Sequence, residues 1–143
     1  MHDVRKRDMT QKPLPKVAFV CVHNSCRSQI AEALGLKFAS EVFESYSAGT
    51  SLKTRINSDA VRIVKEIYGI DMEASQHPKL IYDLPSNIDV VITMGCGVAC
   101  PSIQAPIVQD WGLEDPTGKS DEDFIACIRA IEHNIKELAQ RLS

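Results

Sequence analysis

The chain has no apolar run long enough to cross a bilayer: nothing in its 143 residues approaches the roughly 18 apolar residues a spanning helix needs. Its first 16 residues, MHDVRKRDMTQKPLPK, carry charge but no apolar core, which excludes a secretory signal. No large charge of one sign is present either. Sixteen Lys and Arg stand against 19 Asp and Glu, a net charge of −3, so composition gives no reason to expect nucleic acid or an anionic membrane as partner. An anionic substrate would have to be held by local chemistry. Repeats and low-complexity tracts are absent. An even set of cysteines is absent too. The five (Cys21, Cys26, Cys96, Cys100 and Cys127) argue against a disulfide framework in an unsecreted chain, and for reactive thiols or metal ligands. A structural zinc site would need about four ligands in tight pairs. Only Cys96 and Cys100 offer such a pair, so no metal is expected. These exclusions leave a cytoplasmic globular protein, and its length suits one domain. The expected division is a disordered leader over residues 1–15 and a single catalytic domain over 16–143.

Hydrophobic patterning predicts an α/β fold. Val17 to Val20 is a compact apolar run, as in a strand buried on both faces. Ser28 to Ala39 carries Ile30, Leu34 and Phe38 at helical spacing. Val42 to Ser47 reads as a second strand. Asn57 or Ser58 caps a helix that runs through Tyr68 to a stop at Gly69. Asp89 to Met94 is a third strand and Ala105 to Val108 a short fourth. Asp121 opens a long amphipathic helix built on Phe124, Ile128, Ile131, Ile135, Leu138 and Leu142. This order predicts a three-layer sandwich around a central, four-stranded, parallel sheet. Ligands bind beyond the carboxyl ends of such strands, where Cys21, Cys96 and the loop before Asp115 all fall.

The sharpest motif leaves the first strand and opens the first helix: Cys21-Val22-His23-Asn24-Ser25-Cys26-Arg27-Ser28. A loop so placed can turn successive backbone N–H groups on one anion, with the helix N-terminus adding positive potential. Arg27 supplies a planar fork for two oxygens of a tetrahedral oxyanion. Asn24 tolerates the unusual backbone angles that a tight anion nest needs. Cys21 sits where these dipoles favour thiolate, and Ser28 can donate a hydrogen bond to its sulfur. Cys26 reads as a packing residue and His23 as a polar rim residue, since a thiolate needs no base. Asp115, before Pro116, is the candidate general acid, ahead of Asp110 and Glu114. Trp111 reads as a packing anchor for its loop, His77 and His133 as surface residues, and Cys127 as core packing.

The motif CVHNSCRS followed by QIAEAL resembles the anion loop and first helix of the low-molecular-weight protein tyrosine phosphatases, and more closely the arsenate reductases built on that fold. SYSAGT, YGID, DVVITM and DWGLEDPTGK extend the resemblance to the C-terminus. It implies arsenic detoxification by a monomer that reduces arsenate. Cys21 attacks arsenate, Asp115 protonates the departing oxygen, Cys96 attacks Cys21 as arsenite leaves, and Cys100 carries the disulfide outward to thioredoxin, or to a small thiol with a glutaredoxin-like partner. No cofactor is implied. Cysteines four apart on a helical turn have Cα atoms about 6 Å apart, within disulfide range. The phosphatases usually place an aromatic after Asp-Pro, where this chain has Thr117; the alternative reading, a phosphomonoester hydrolase, is weakened by that departure. Asn24, Glu32 and Ser47 match positions that support the anion loop through a monovalent cation in some members. The resemblance places Lys79 where an acid stands in those members, so that its ammonium can replace the cation.

Overall fold

The computed structural model describes residues 13–51, 53–95 and 103–143. The expected leader falls almost wholly outside the described residues, and so do Cys96 and Cys100. The elements are β1 (Lys16–Val20), α1 (Arg27–Phe38), β2 (Glu44–Ala48), α2 (Ser58–Tyr68), α3 (Met72–Ser75), β3 (Val90–Thr93), β4 (Ile107–Asp110) and α4 (Asp121–Leu142), with a 3-10 turn at Ile81–Asp83. The sheet is wholly parallel in the order β2-β1-β3-β4. Among the described residues no helix is long and apolar enough to cross a membrane.

The pleat of β1 explains the layers. Val17 and Phe19 face the larger core with Val90 and Ile92 of β3, packed against α1, α2 and α4. Ala18 and Val20 point the other way with Val91, under Ile81, Leu84, Ile88, Ile103 and Ala105. Helices thus cover one face and the 3-10 segment with residues 103–105 covers the other, the expected three layers. The long helix α4 starts on Ser120, whose hydroxyl accepts from the Asp123 N–H, and buries Phe124, Ile128, Ile131, Ile135 and Leu138. Truncating any one of these isoleucines to Ala removes about 2–5 kcal/mol of stability. Asn57 caps α2 by accepting from Asp59 and Ala60, and Gly69 ends it at φ 72°, in the left-handed region.

Two strands start two residues later than expected. The second strand starts at Glu44 rather than Val42, because the Val42 and Phe43 N–H groups both donate back to the Ala39 carbonyl and close a turn after α1. The fourth starts at Ile107 rather than Ala105: Pro106 has no N–H to give, and the first amide to reach β3 is that of Ile107, 3.2 Å from the Asp89 oxygen. The one-turn α3, capped by Asp71, was not expected.

The carboxyl end of β2 meets that of β1 at Gly49. A methyl group there would lie 2.5 Å from the Val22 carbonyl oxygen and 2.9 Å from the Asn24 nitrogen. Backbone cannot give way as a side-chain tip can. Gly49→Ala is therefore expected to lower stability by about 1–3 kcal/mol, read as a lower urea midpoint with an unchanged slope; full stability would show that the loop yields at no cost.

Candidate active site

The loop that joins β1 to α1 forms the floor of a cavity of about 290 Å³. Cys21, Val22, His23, Ser25, Cys26 and Arg27 line it, with Lys53 and Asp115 from two other loops. The Cys21 sulfur is 2.8 Å from the Ser28 hydroxyl. Among the described residues, the backbone N–H groups of Val22 to Cys26 have no protein acceptor, as expected of a loop whose donors serve a ligand. His23 is exposed at the rim, its Nδ1 3.0 Å from the Ser51 carbonyl. Burial, aided by the Asp115 charge, pushes the Cys26 thiol up to about 12, which suits packing rather than reaction.

Asn24 does not line the cavity. It is fully buried at φ 50° and faces the protein. Its Oδ1 accepts from the Lys79 N–H at 2.8 Å and from Gln29 Nε2 at 2.9 Å, and its Nδ2 donates to Ser28 Oγ at 2.8 Å. Beside it, the Glu32 carboxylate accepts from the Ser47 hydroxyl at 2.5 Å and pairs with the Lys79 ammonium at 3.3 Å. The side chain of Lys79 is only 19% exposed and that of Glu32 12%. The ammonium thus lies against Glu32 and the His77 carbonyl, while Asn24 meets the Lys79 backbone N–H.

Arg27 opens α1 and is spent on two carbonyls. Its Nη1 donates to Met94 O at 2.6 Å and to Leu113 O at 2.5 Å. It thereby ties the anion loop to the end of β3 and to the loop that carries Asp115. Asp115 stands at the cavity mouth, and its Oδ1 accepts from the Thr117 N–H at 3.0 Å and hydroxyl at 2.7 Å. Partial burial opposes its charge, but these two hydrogen bonds, with Arg27 and Lys53 nearby, hold its carboxyl below the ordinary 3.8. The alternatives to Asp115 do other work. Asp110 accepts from the Thr93 hydroxyl at 2.7 Å and the Gly95 N–H at 2.9 Å, while the Glu114 side chain is 92% exposed. The Trp111 ring packs 5.6 Å from Phe19 at the root of the loop. Cys127 is buried, its thiol pushed up to about 11 by desolvation, and lines a separate cavity between α4 and the Gly112–Pro116 stretch.

Of the expected site residues, Cys21, Arg27 and Asp115 converge on one cavity; Cys96 and Cys100 lie outside the described residues. Sequence reasoning missed Lys53, although it follows the carboxyl end of β2 and the rim rule that selected Cys21 points to it as well. It also missed the hold of Thr117 on Asp115.

A family model described as low molecular weight phosphotyrosine protein phosphatase matches residues 16–143. An arsenate reductase of Shouchella clausii is 38% identical over 134 residues, 87% of this chain and 94% of its own length. A glutaredoxin arsenate reductase of Synechocystis is 34% identical over 132 residues, 90% of this chain and 96% of its own. A solved arsenate reductase in the phosphate binding state superposes with a TM-score of 0.81 at 33% identity, over 91% of this chain and all of that one.

Two outcomes test this geometry. Thr117→Val removes the shorter of the two bonds to Asp115, so the Asp115 carboxyl, followed by NMR titration, moves up toward its ordinary value. The sign follows from a depressed folded value: the Thr117 bonds stabilise the fold above the unfolded value near 3.8 and cease to do so as pH falls through the lower folded one. An unmoved titration would contradict the assignment. Lys79→Met leaves the Glu32 charge without its partner and is expected to cost roughly 1–3 kcal/mol in denaturant unfolding; an unchanged midpoint would mean that the pair is idle.

Proposed function

The chain belongs to the low molecular weight phosphotyrosine protein phosphatase family, and within it we propose that it reduces arsenate to arsenite, with Cys21 as nucleophile, Arg27 and the loop 22–28 as oxyanion cradle, and Asp115 as general acid. The observation that carries this reading is a sulfur on the floor of a small cavity with a carboxyl at its mouth and, among the described residues, no Phe, Tyr or Trp in its lining. A cavity so lined suits a small inorganic oxyanion better than an aryl phosphate. The named arsenate reductases that match nearly end to end support the same substrate, and the relative solved in the phosphate binding state supports a tetrahedral anion as ligand.

The proposed steps balance as follows. The Cys21 thiolate attacks arsenic, an As–O bond breaks, and Asp115 protonates the departing oxygen, which leaves as water. Cys96 then attacks the Cys21 sulfur. The As–S bond breaks with its electron pair left on arsenic, which is reduced from As(V) to As(III), and a Cys21–Cys96 disulfide remains. Cys100 attacks Cys96, frees Cys21 and passes the disulfide to an external thiol reductant. That reductant is thioredoxin, or a small thiol with a glutaredoxin-like protein; the name of the Synechocystis relative supports the second. The relay needs a reducing compartment, which makes the cytoplasm the place of action, and one chain carries all its residues, so a monomer suffices. The hydrolase reading would use Cys21, Arg27 and Asp115 but leave Cys96 and Cys100 without a role.

The test is arsenate-dependent NADPH oxidation by the purified protein, run once with thioredoxin and its reductase and once with glutathione, glutaredoxin and glutathione reductase. Sustained turnover is expected in one of them. Cys21→Ser should abolish it, Asp115→Asn should reduce it about 10²- to 10⁴-fold with anion binding retained, and Cys100→Ser should stall after one turnover with Cys21 bonded to Cys96. No turnover in either system, with p-nitrophenyl phosphate hydrolysis intact, would establish the hydrolase instead.

A further inference from the structure

Behind the anion loop lies a pair of buried glutamines that the chemistry above does not use. Gln29 is in the first turn of α1 and fully buried; Gln76 follows α3 and is 6% exposed. They are 47 residues apart in the chain. Gln76 Nε2 donates to the Gln29 backbone carbonyl at 3.0 Å and to Gln29 Oε1 at 2.8 Å. A backbone carbonyl can only accept, so the Gln76 amide has one orientation. Gln29 Oε1 therefore faces Gln76, and its Nε2 faces the other way, toward Asn24 O at 3.1 Å, Asn24 Oδ1 at 2.9 Å and His77 O at 2.9 Å. Asn24 Oδ1 also takes the Lys79 N–H, which can only donate. Asn24 Nδ2 must then face Ser28 Oγ. With that oxygen accepting from Asn24, the proton of the Ser28 hydroxyl is directed at the Cys21 sulfur, 2.8 Å away.

Every amide in this chain thus points one way, and each orientation is anchored by a backbone group of fixed polarity. We propose that Gln76 and Gln29 are positioning residues for the nucleophile: a relay of amide hydrogen bonds from Gln76 through Gln29, Asn24 and Ser28 holds a hydroxyl proton on the Cys21 sulfur. The relay favours thiolate because a hydrogen bond given to the charged form stabilises that form. It also assigns a task to the segment 76–79, which reaches the back of the anion loop by the Gln76 side chain, the His77 carbonyl and the Lys79 N–H. Gln76 touches neither cavity nor sulfur; its action is wholly through Gln29. The inference rests on the reading of Cys21 as an activated nucleophile.

The experiment follows the rate at which iodoacetamide alkylates Cys21, read as the mass of the Cys21 peptide, from pH 5 to pH 10. Gln76→Met keeps the side-chain length, adds no charge and removes both N–H donors. Its alkylation midpoint should lie about one pH unit above that of the unsubstituted protein, so that the rate at pH 6.5 falls up to about tenfold while the rate at pH 10 is unchanged. Ile63→Val loosens the core away from the relay and should leave the midpoint in place while lowering the melting temperature, which separates positioning from general softening. Gln76→Glu turns acceptors toward Gln29 and should move the midpoint further in the same direction; it carries the test if Gln76→Met does not fold. A midpoint in the folded variants equal to that of the unsubstituted protein overturns the relay. A midpoint near the ordinary thiol value of about 8.5 in the unsubstituted protein itself would instead overturn the activated nucleophile.

Discussion

The side-chain amide of Asn24 is the interaction on which the rest of the site depends. Its backbone sits at φ 50°, a conformation that Asn tolerates better than most residues, and this lets the chain turn sharply between Cys21 and α1. A loop that keeps its N–H groups for an anion cannot be held by its own backbone ladder. It is held through its carbonyls, Val22 O by the Thr50 and Ser51 N–H groups and Ser25 O by that of Asn57, and by side chains from behind, a requirement that shapes α1. The helix is buried continuously from Arg27 to Gly35, including Arg27, Ser28, Gln29 and Glu32, where an ordinary surface helix would turn its polar residues to water. Each of those polar groups has a named partner on the loop, the sheet or the 76–79 segment.

Charge is placed with the same economy. The chain is acidic overall, yet Arg27 and Lys53 both line the cavity. Lys79 does not: its ammonium serves Glu32, and the hydroxyl of Ser47 completes that carboxylate's partners. Arg27 bonds to two neutral carbonyls, and a charged oxyanion is a stronger acceptor for a guanidinium than either. Those carbonyls belong to Met94, just before Gly95, and to Leu113, two residues before Asp115. One guanidinium therefore connects the anion loop, the exit of β3 and the acid loop. Gly95 reinforces the contact: at φ 97°, it brings its Cα so close to Leu113 that a methyl group would lie 2.7 Å from the Leu113 backbone.

What the sequence made legible was whatever is written locally. The apolar run at Val17–Val20, the Asn57 cap, the Gly69 stop and the stripe of α4 all declare themselves within a few residues. So does the loop from Cys21 to Ser28, whose chemistry is compressed into eight residues. The strand boundaries at Val42 and Ala105 were not legible, because apolar composition cannot show that an N–H is engaged elsewhere or, at Pro106, missing. Least legible were contacts between distant segments. Gln29 and Gln76 look like ordinary polar residues until the fold buries them face to face, and Thr117 read only as a missing aromatic until its hydroxyl was found on Asp115.

The Thr117 hydroxyl opposes protonation of Asp115, the state that a general acid needs. A general acid has to carry a proton, yet Thr117, Arg27 and Lys53 all favour the ionised form of Asp115. The resolution lies in the sign of the substrate. An oxyanion bound among Arg27 and the loop donors brings negative charge to a cavity whose mouth is Asp115. Two negative groups in one small space cannot both remain fully ionised, so the second binds a proton more readily. The same anion draws Arg27 into its own hydrogen bonds and screens its charge from Asp115. Both effects raise the carboxyl once the substrate is in place and only then. Because the Thr117 bonds engage Oδ1 and, among the described residues, no hydrogen bond reaches Oδ2, the proposed reaction would use Oδ2 to take up that proton and pass it to the leaving group. In the proposed reaction Asp115 would thus be loaded by the anion it acts on, while the Thr117 bonds favour its ionised form until that anion arrives.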